Sequence, residues 1–153
     1  LLGDEGSGYW LGLEMLKAVA RAVDGREEKT EIFVETLANL KISDPDELIT
    51  WLYAPERNNR QIAKMASLVL SAASHGDSVA DKIIESGAEH LYQLHMSVVT
   101  RLNFADPPVM FAGGLLSSET PLRRLLMQKI GLNKVPSPKY SPAAGAALMA
   151  QLS

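Results

Sequence analysis

The strongest constraint on the fold is the long stretch that follows Asp77. Its polar side carries Asp81, Glu85 and Glu89, which recur every four residues. Both the polar and the apolar positions follow the α-helical period over roughly six turns, and Asp77 is a typical N-cap residue. The stretch therefore predicts one long amphipathic helix. The apolar line of this helix comprises Val79, Ile83, Gly87, Leu91, Leu94, Val98 and Leu102.

Composition extends this prediction to the rest of the chain. Leucine (22) and alanine (18) outnumber valine (9), isoleucine (7) and threonine (5) by about two to one. Leucine and alanine favour helices, whereas β-branched residues favour strands. A length of 153 residues suits one domain with a hydrophobic core. We therefore expect a single, helix-dominated domain over residues 1–153.

Capping signals predict where the other helices begin and end. Asp44 is the expected N-cap of a short helix that ends near Tyr53, with Glu47 completing a capping box. Gly131 is expected to end another helix. The first predicted helix follows the Gly3–Gly8 segment and ends at about Val23. The other predicted helices cover Thr30–Leu40, Ile62–Ser74, Glu119–Ile130 and Ala143–Leu152.

One segment has the pattern of a buried strand. Val109–Ala112 is an uninterrupted apolar run that is followed by Gly113 and Gly114. Lys134–Pro136 is a candidate edge strand. Ligands of parallel sheets collect beyond the carboxyl ends of strands, so the two glycines are a candidate ligand-binding turn; a plain tight turn is the alternative. The expected fold class is therefore α/β, with few short strands.

Charge and composition exclude several function classes. The net charge is −3 and no basic patch stands out, so we expect no nucleic-acid partner. There is no cysteine, which excludes disulfides and thiolate-bound metals within the chain. His90 and His95 are five residues apart, a poor spacing for one helix face, so no metal site is expected. The uncharged stretches are too short to span a bilayer, and we expect a cytoplasmic protein without membrane association.

The most unusual segment is Gly3-Asp4-Glu5-Gly6-Ser7-Gly8. Two adjacent carboxylates stand among three glycines, immediately before a helix. Carboxylates accept hydrogen bonds from hydroxyl groups, such as the vicinal hydroxyls of a sugar. The alternative is a flexible turn whose acids interact favourably with the helix dipole. Both interpretations remain open from spacing alone.

Four segments together resemble the N-acetylglucosamine kinases and the related BadF/BadG/BcrA/BcrD-type ATPases, which belong to the superfamily of sugar kinases, heat-shock chaperones and actin. Leu2–Gly12, which contains the Gly-Asp-Glu-Gly-Ser motif, is similar to the most specific family signature. Ile62–Ala80 resembles a helix–Gly-Asp–helix stretch, and Val109–Gly114 resembles the adenosine motif. Ser141–Leu148 resembles the final connecting helix. The four segments occur in family order and cover nearly the whole chain.

The resemblance implies a function and a fold. The implied reaction is phosphorylation of a sugar hydroxyl by ATP, with Mg²⁺ bridging the phosphates. Asp4 is the implied sugar contact, Glu5 is a weaker candidate beside it, and Gly113 and Gly114 border the adenosine. The implied fold is the C-terminal lobe of a ribonuclease H-like, actin-like ATPase.

The sequence also departs from the family pattern. The phosphate loops and the catalytic Asp of the family are not found, and we expect them to precede Leu1. Magnesium would then be held mainly by that preceding part, and this chain alone is expected to lack kinase activity. Two alternatives stay open. One is an ATPase that activates a partner enzyme, and the other is a non-catalytic packing or dimerisation module. Association of the protein as a homodimer also stays open.

Overall fold

The computed structural model describes residues 3–103 and 107–152. Within those residues the chain forms nine helices and no strand. The helices are α1 (Gly8–Val23), α2 (Glu31–Leu40), α3 (Glu47–Leu52), α4 (Asn59–Lys64), α5 (Ala66–Ser74), α6 (Ser78–Leu102), α7 (Gly114–Ser117), α8 (Pro121–Ile130) and α9 (Pro142–Leu152).

Helix α1 lies at the centre of the fold. It packs against α2, α4, α5 and α6, and its core side chains include the fully buried Leu11 and Met15. Ser7 caps the helix, because its Oγ accepts the backbone N–H of Trp10 at 3.1 Å. At Gly12 the backbone of α1 approaches α4 so closely that an added Cβ would overlap the carbonyl oxygen of Ile62. The glycine therefore sets the packing distance between these two helices.

Helix α6 is the longest element and changes character along its length. Its first half packs on α5 and α8 and buries Val79, Ile83 and Gly87. Beyond Ala88 the helix has no buried residue. It ends at Asn103, which adopts a left-handed conformation with φ of 51°. The second half of α6 therefore lies at the edge of the core, and its residue Leu91 packs against the loop that precedes α1.

The helix-dominated expectation is confirmed, but the strand predictions are wrong. Neither Val109–Ala112 nor Lys134–Pro136 forms a strand. Phe111 is buried, while Met110 and Ala112 are exposed, so the first segment keeps the two-residue periodicity of an extended chain. A strand also needs a neighbour that accepts and donates its backbone hydrogen bonds. No strand in the described part of the chain offers such a neighbour.

The observed helix boundaries differ from the predicted ones by one or two residues at the starts of α2, α8 and α9, and more clearly at two other places. The N-cap of α3 is Asp46, because the Asp44 carboxylate accepts the Asp46 N–H at 3.0 Å and forms a preceding turn. The predicted Ile62–Ser74 helix is divided at Met65 into α4 and α5, and α4 begins with an Asn58 capping box. Helix α1 ends at Val23, as predicted. No helix in the described ranges has the length and apolar character that crossing a bilayer requires.

Candidate functional site

The segment Gly3–Gly8, here called the acidic loop, has a defined conformation. Gly3 and Gly6 have φ angles of 77° and 80°, a region that glycine adopts without strain. The carbonyl of Asp4 accepts the Ser7 N–H at 3.1 Å, which closes a turn. Gly6 is buried against α6, where an added Cβ would lie 2.6 Å from Cγ of Leu91. The acidic loop is therefore held between α1 and α6.

The second predicted site segment, Gly113–Gly114, is also a tight turn. Gly113 has a φ of 86° and precedes the single-turn helix α7. Its carbonyl accepts the N–H groups of Leu116 and Ser117 at 3.2 and 2.9 Å. The next helix is fixed beside it, because Thr120 caps α8 and donates its hydroxyl to the Leu115 carbonyl at 2.8 Å. We call Gly113–Gly114 the diglycine turn.

The structure brings the acidic loop and the diglycine turn to one cleft. This cleft, here called the glycine cleft, has a volume of about 390 Å³. The acidic loop forms one side of it, and the diglycine turn with α7 forms another. Leu91 and Leu94 on the second half of α6 form part of the lining. All four residues that the sequence singles out as binding residues, Asp4, Glu5, Gly113 and Gly114, therefore line the same cleft.

The lining of the glycine cleft is chemically divided. Asp4 is half-buried and Glu5 is exposed, and both supply carboxylate oxygens. No side-chain hydrogen bond or ion pair involves Asp4 within residues 3–103 and 107–152. The apolar part of the lining consists of Leu91, Leu94 and the two leucines of α7. Such a cleft suits a ligand that has hydroxyl donors and an apolar surface.

The diglycine turn meets a steric requirement for nucleotide binding. No atom lies within 4 Å of an added Cβ at either Gly113 or Gly114, so their backbone faces open space. A base or ribose could therefore approach the main chain. The residues described contain no group of three or more His, Asp or Glu side chains that could hold a metal ion. They offer Asp4 and Glu5, but no full set of magnesium ligands.

Other candidate residues lie apart from this cleft. His90 packs edge-on against Trp10, with ring centroids 5.3 Å apart, so it has an aromatic packing partner. Leu91 and Leu94 also line the cleft, although in the sequence they belong to the continuous apolar line of the long helix and do not stand out as binding residues. No local pattern distinguishes these two residues from the buried part of that line, because the packing of Gly6 against α6 is a tertiary contact.

Comparison with known proteins assigns the chain to a family. The family model described as "BadF/BadG/BcrA/BcrD ATPase family" matches residues 1–150. The chain belongs to the BadF/BadG/BcrA/BcrD ATPase family. The family resemblance inferred from the sequence is thereby confirmed.

Two curated relatives of the chain are named as sugar kinases. The chain is 32% identical to an N-acetyl-D-glucosamine kinase of Dictyostelium discoideum over 98% of its own length and 50% of that protein. It is 31% identical to an N-acetylmuramic acid/N-acetylglucosamine kinase of Clostridium acetobutylicum, over 99% and 51%. A crystal structure from Chromobacterium violaceum, provisionally assigned as an N-acetylglucosamine kinase, matches with a TM-score of 0.73 and 26% identity, over 97% and 48%. The chain spans about half the length of the curated relatives it matches.

Proposed function

We propose that this chain is the C-terminal portion of an ATP-dependent amino-sugar kinase, acting on N-acetylglucosamine or glucosamine. The observation that carries the proposal is the meeting of the acidic loop and the diglycine turn in the glycine cleft. Phosphoryl transfer consists mainly of positioning and charge stabilisation, so the two substrates must lie side by side. A cleft that joins a carboxylate loop to an open backbone turn suits that requirement.

The acidic loop is proposed to hold the sugar. Asp4 is half-buried and its carboxylate has no partner among the described residues, so it is available to accept hydroxyl hydrogen bonds. Gly6 packs against α6 and restricts movement of the loop. The Asp4 carboxylate would thus orient the sugar ring, with Glu5 as a second, more exposed acceptor.

The diglycine turn is proposed to border the nucleotide. ATP bound with magnesium would supply the phosphoryl group and partly neutralise its charge. Gly113 and Gly114 leave their backbone open on the cleft side, which would allow the adenosine to lie against the main chain. The magnesium ligands, the phosphate loops and the catalytic base are proposed to lie in the part of the protein that corresponds to the other half of the curated relatives.

We further propose that residues 1–153 form a single domain, the C-terminal lobe of a ribonuclease H-like fold, in a cytoplasmic protein. The helix-rich architecture and the similarity to a solved kinase-like structure support a sugar-kinase lobe. The strands of such a fold would then come from outside this chain. A crystal structure of the full-length protein would test this, because residues 1–153 should remain a helical unit there that packs against a strand-containing part of the same protein.

The function is tested with the full-length protein in a coupled assay of ADP release. We expect ATP turnover that depends on N-acetylglucosamine or glucosamine, and a phosphorylated sugar detectable by mass spectrometry. ATP hydrolysis that is independent of either sugar would instead support an ATPase that activates a partner enzyme. Absence of ATP binding in calorimetry would support a non-catalytic packing or dimerisation module.

A further inference from the structure

A second cleft lies on the other side of α4 from the packing contact with α1. It has a volume of about 430 Å³, within the range of small-molecule sites, and shares no lining residue with the glycine cleft. The end of α2, helix α3, the loop after it and the α4–α5 junction form its walls. We call it the basic cleft, after its charged residues Lys41, Arg57 and Lys64.

The charge of the basic cleft is of one sign. Lys41, Arg57 and Lys64 line it together with apolar and uncharged polar residues, and no carboxylate is among the lining residues. Three of the ten lining residues are cationic, although the net charge of the whole chain is −3. None of the three forms an ion pair with a carboxylate in the part of the chain that the structure describes. Unpaired cations in a concave surface attract an anion.

Arg57 is held in place before any ligand binds. Its guanidinium lies over the Trp51 ring, 3.6 Å from the centroid, and its Nε donates to the Trp51 carbonyl at 3.1 Å. These two contacts fix the plane of the guanidinium and leave its terminal nitrogens to donate elsewhere. A fixed guanidinium can bind two oxygens of one phosphate group in parallel.

Gln61 supplies a further donor next to these cations. Its Oε1 accepts the Asn58 N–H at 3.0 Å in the α4 capping box, which leaves its Nε2 group to donate. The apolar part of the lining comes from Leu40, Met65 and Trp51. The cleft thus combines a multiply charged donor set with an apolar surface.

We propose that the basic cleft binds a small organic phosphomonoester. A phosphomonoester carries nearly two negative charges and three acceptor oxygens, which matches Lys41, Arg57 and Lys64 better than a singly charged carboxylate does. The organic part of the ester would pack on the apolar lining beside Trp51. The site is separate from the proposed kinase cleft, so its occupation does not depend on the proposed function.

The test measures the acetylation rates of individual lysines in the full-length protein by peptide mass spectrometry, with glucose 6-phosphate as the probe. We expect saturable protection of Lys41 and Lys64, at least fivefold, with no protection of Lys134. Neutral glucose should have no effect, and gluconate and inorganic phosphate should need at least tenfold higher concentrations. Protection that extends equally to Lys134, or that is absent at both cleft lysines, would overturn the proposal. Equal midpoints for inorganic phosphate or gluconate would overturn the assignment to an ester.

A matched pair of variants tests the role of Arg57. Arg57→Gln should raise the protection midpoint at Lys41 and Lys64 at least tenfold, whereas Arg101→Gln, which removes an equal charge outside the cleft, should leave it unchanged. Asp4→Asn should also leave it unchanged, because Asp4 lies in the glycine cleft. An equal effect of Arg57→Gln and Arg101→Gln would show general electrostatic attraction and overturn the site. Sugar-dependent ADP release is measured separately and should be normal in Arg57→Gln.

Discussion

The carboxylate of Asp77 links the start of α6 to the start of α2, because its Oδ2 accepts the backbone N–H of Ile32 at 2.9 Å. Its Oδ1 accepts the N–H groups of Val79 and Ala80 at 3.0 and 2.9 Å. One buried side chain therefore caps its own helix and satisfies a donor in the first turn of a helix 45 residues away in sequence. This contact fixes α2 relative to the α5–α6 pair.

Removing this carboxylate should destabilise the fold more than the loss of an ordinary cap. We expect Asp77→Ala to lower the free energy of unfolding by about 3 kcal/mol, since three N–H groups lose a charged acceptor. Asp77→Asn should cost about half as much. Its side-chain oxygen can still accept the N–H groups of Val79 and Ala80, whereas its amide nitrogen cannot accept from Ile32. Urea denaturation provides the measurement. Asp44→Asn serves as the control, because that carboxylate is exposed and should contribute less than about 0.5 kcal/mol.

The contribution of Asp77 should depend on pH. Burial raises the pKa of Asp77, but hydrogen bonds, chiefly from the backbone N–H groups of Ala80 and Ile32, outweigh this effect and hold the pKa below its ordinary value. The unfolded chain, with a carboxyl pKa near 3.9, thus binds the proton more tightly than the folded chain. The stabilisation is complete above that value and is lost as the pH falls through the lower folded pKa.

The pH dependence can be measured by difference. The gap in unfolding free energy between the wild type and Asp77→Asn should be constant from about pH 7 to 5 and shrink below about pH 4. Urea denaturation of both proteins across this range gives the gap directly. A gap that stays constant down to pH 3 would contradict the role of the charge.

The sequence predicted helices well where a capping residue stands directly before a stretch whose apolar residues recur with the α-helical period. The residues from Gly8 to Val23 and the helix after Asp77 both have apolar lines and clear caps, and both occur as predicted. At Asp44 the same signal failed, because a short acidic side chain can form a turn instead of a cap. The break at Met65 was also missed, since a helix interruption without Gly or Pro leaves no local pattern.

The sequence singled out the two glycine-rich segments of the candidate site, because glycines mark places where the backbone turns tightly or is approached closely. Gly6 and Gly113 both have positive φ angles, which suits the turns expected at these segments. Their proximity could not be derived from spacing, because it depends on how α6 and α7 pack. The strand at Val109–Ala112 was wrongly predicted from apolar character alone, since strand formation also requires a partner strand outside the segment.

The close approach of α1 and α4 predicts that Gly12 tolerates no side chain. An added Cβ would overlap the carbonyl oxygen of Ile62, a backbone atom that cannot move without shifting α4. We expect Gly12→Ala to lower the free energy of unfolding by about 2–3 kcal/mol. Gly145→Ala is the matched control, because no atom lies within 4 Å of its added Cβ and alanine favours a helix. Equal melting temperatures for the two variants would contradict this packing.

Asp4 should affect sugar use far more than nucleotide binding. In the full-length protein we expect Asp4→Asn to lower kcat/KM for the sugar by roughly ten- to a hundredfold, the effect of losing a charged acceptor worth about 1.5–3 kcal/mol. The Kd for ATP should change less than about twofold. Coupled ADP release and calorimetry give the two quantities. An unchanged kcat/KM would instead favour the interpretation of Asp4 as a residue that interacts with the helix dipole.

The two glycines of the diglycine turn should respond differently to substitution. Gly113 has a φ of 86°, so Gly113→Ala should cost about 1–2 kcal/mol of stability through backbone strain.

Gly114 has no such strain and open space around it, so Gly114→Ala and Gly114→Val should fold with normal melting temperatures. A valine there would still occupy the cleft that the adenosine is proposed to fill. We therefore expect Gly114→Val in the full-length protein to raise the Kd for ATP at least tenfold and to leave sugar binding unchanged, both by calorimetry. If ATP binds this variant as tightly as the wild type, the nucleotide lies elsewhere and the turn has a structural role alone.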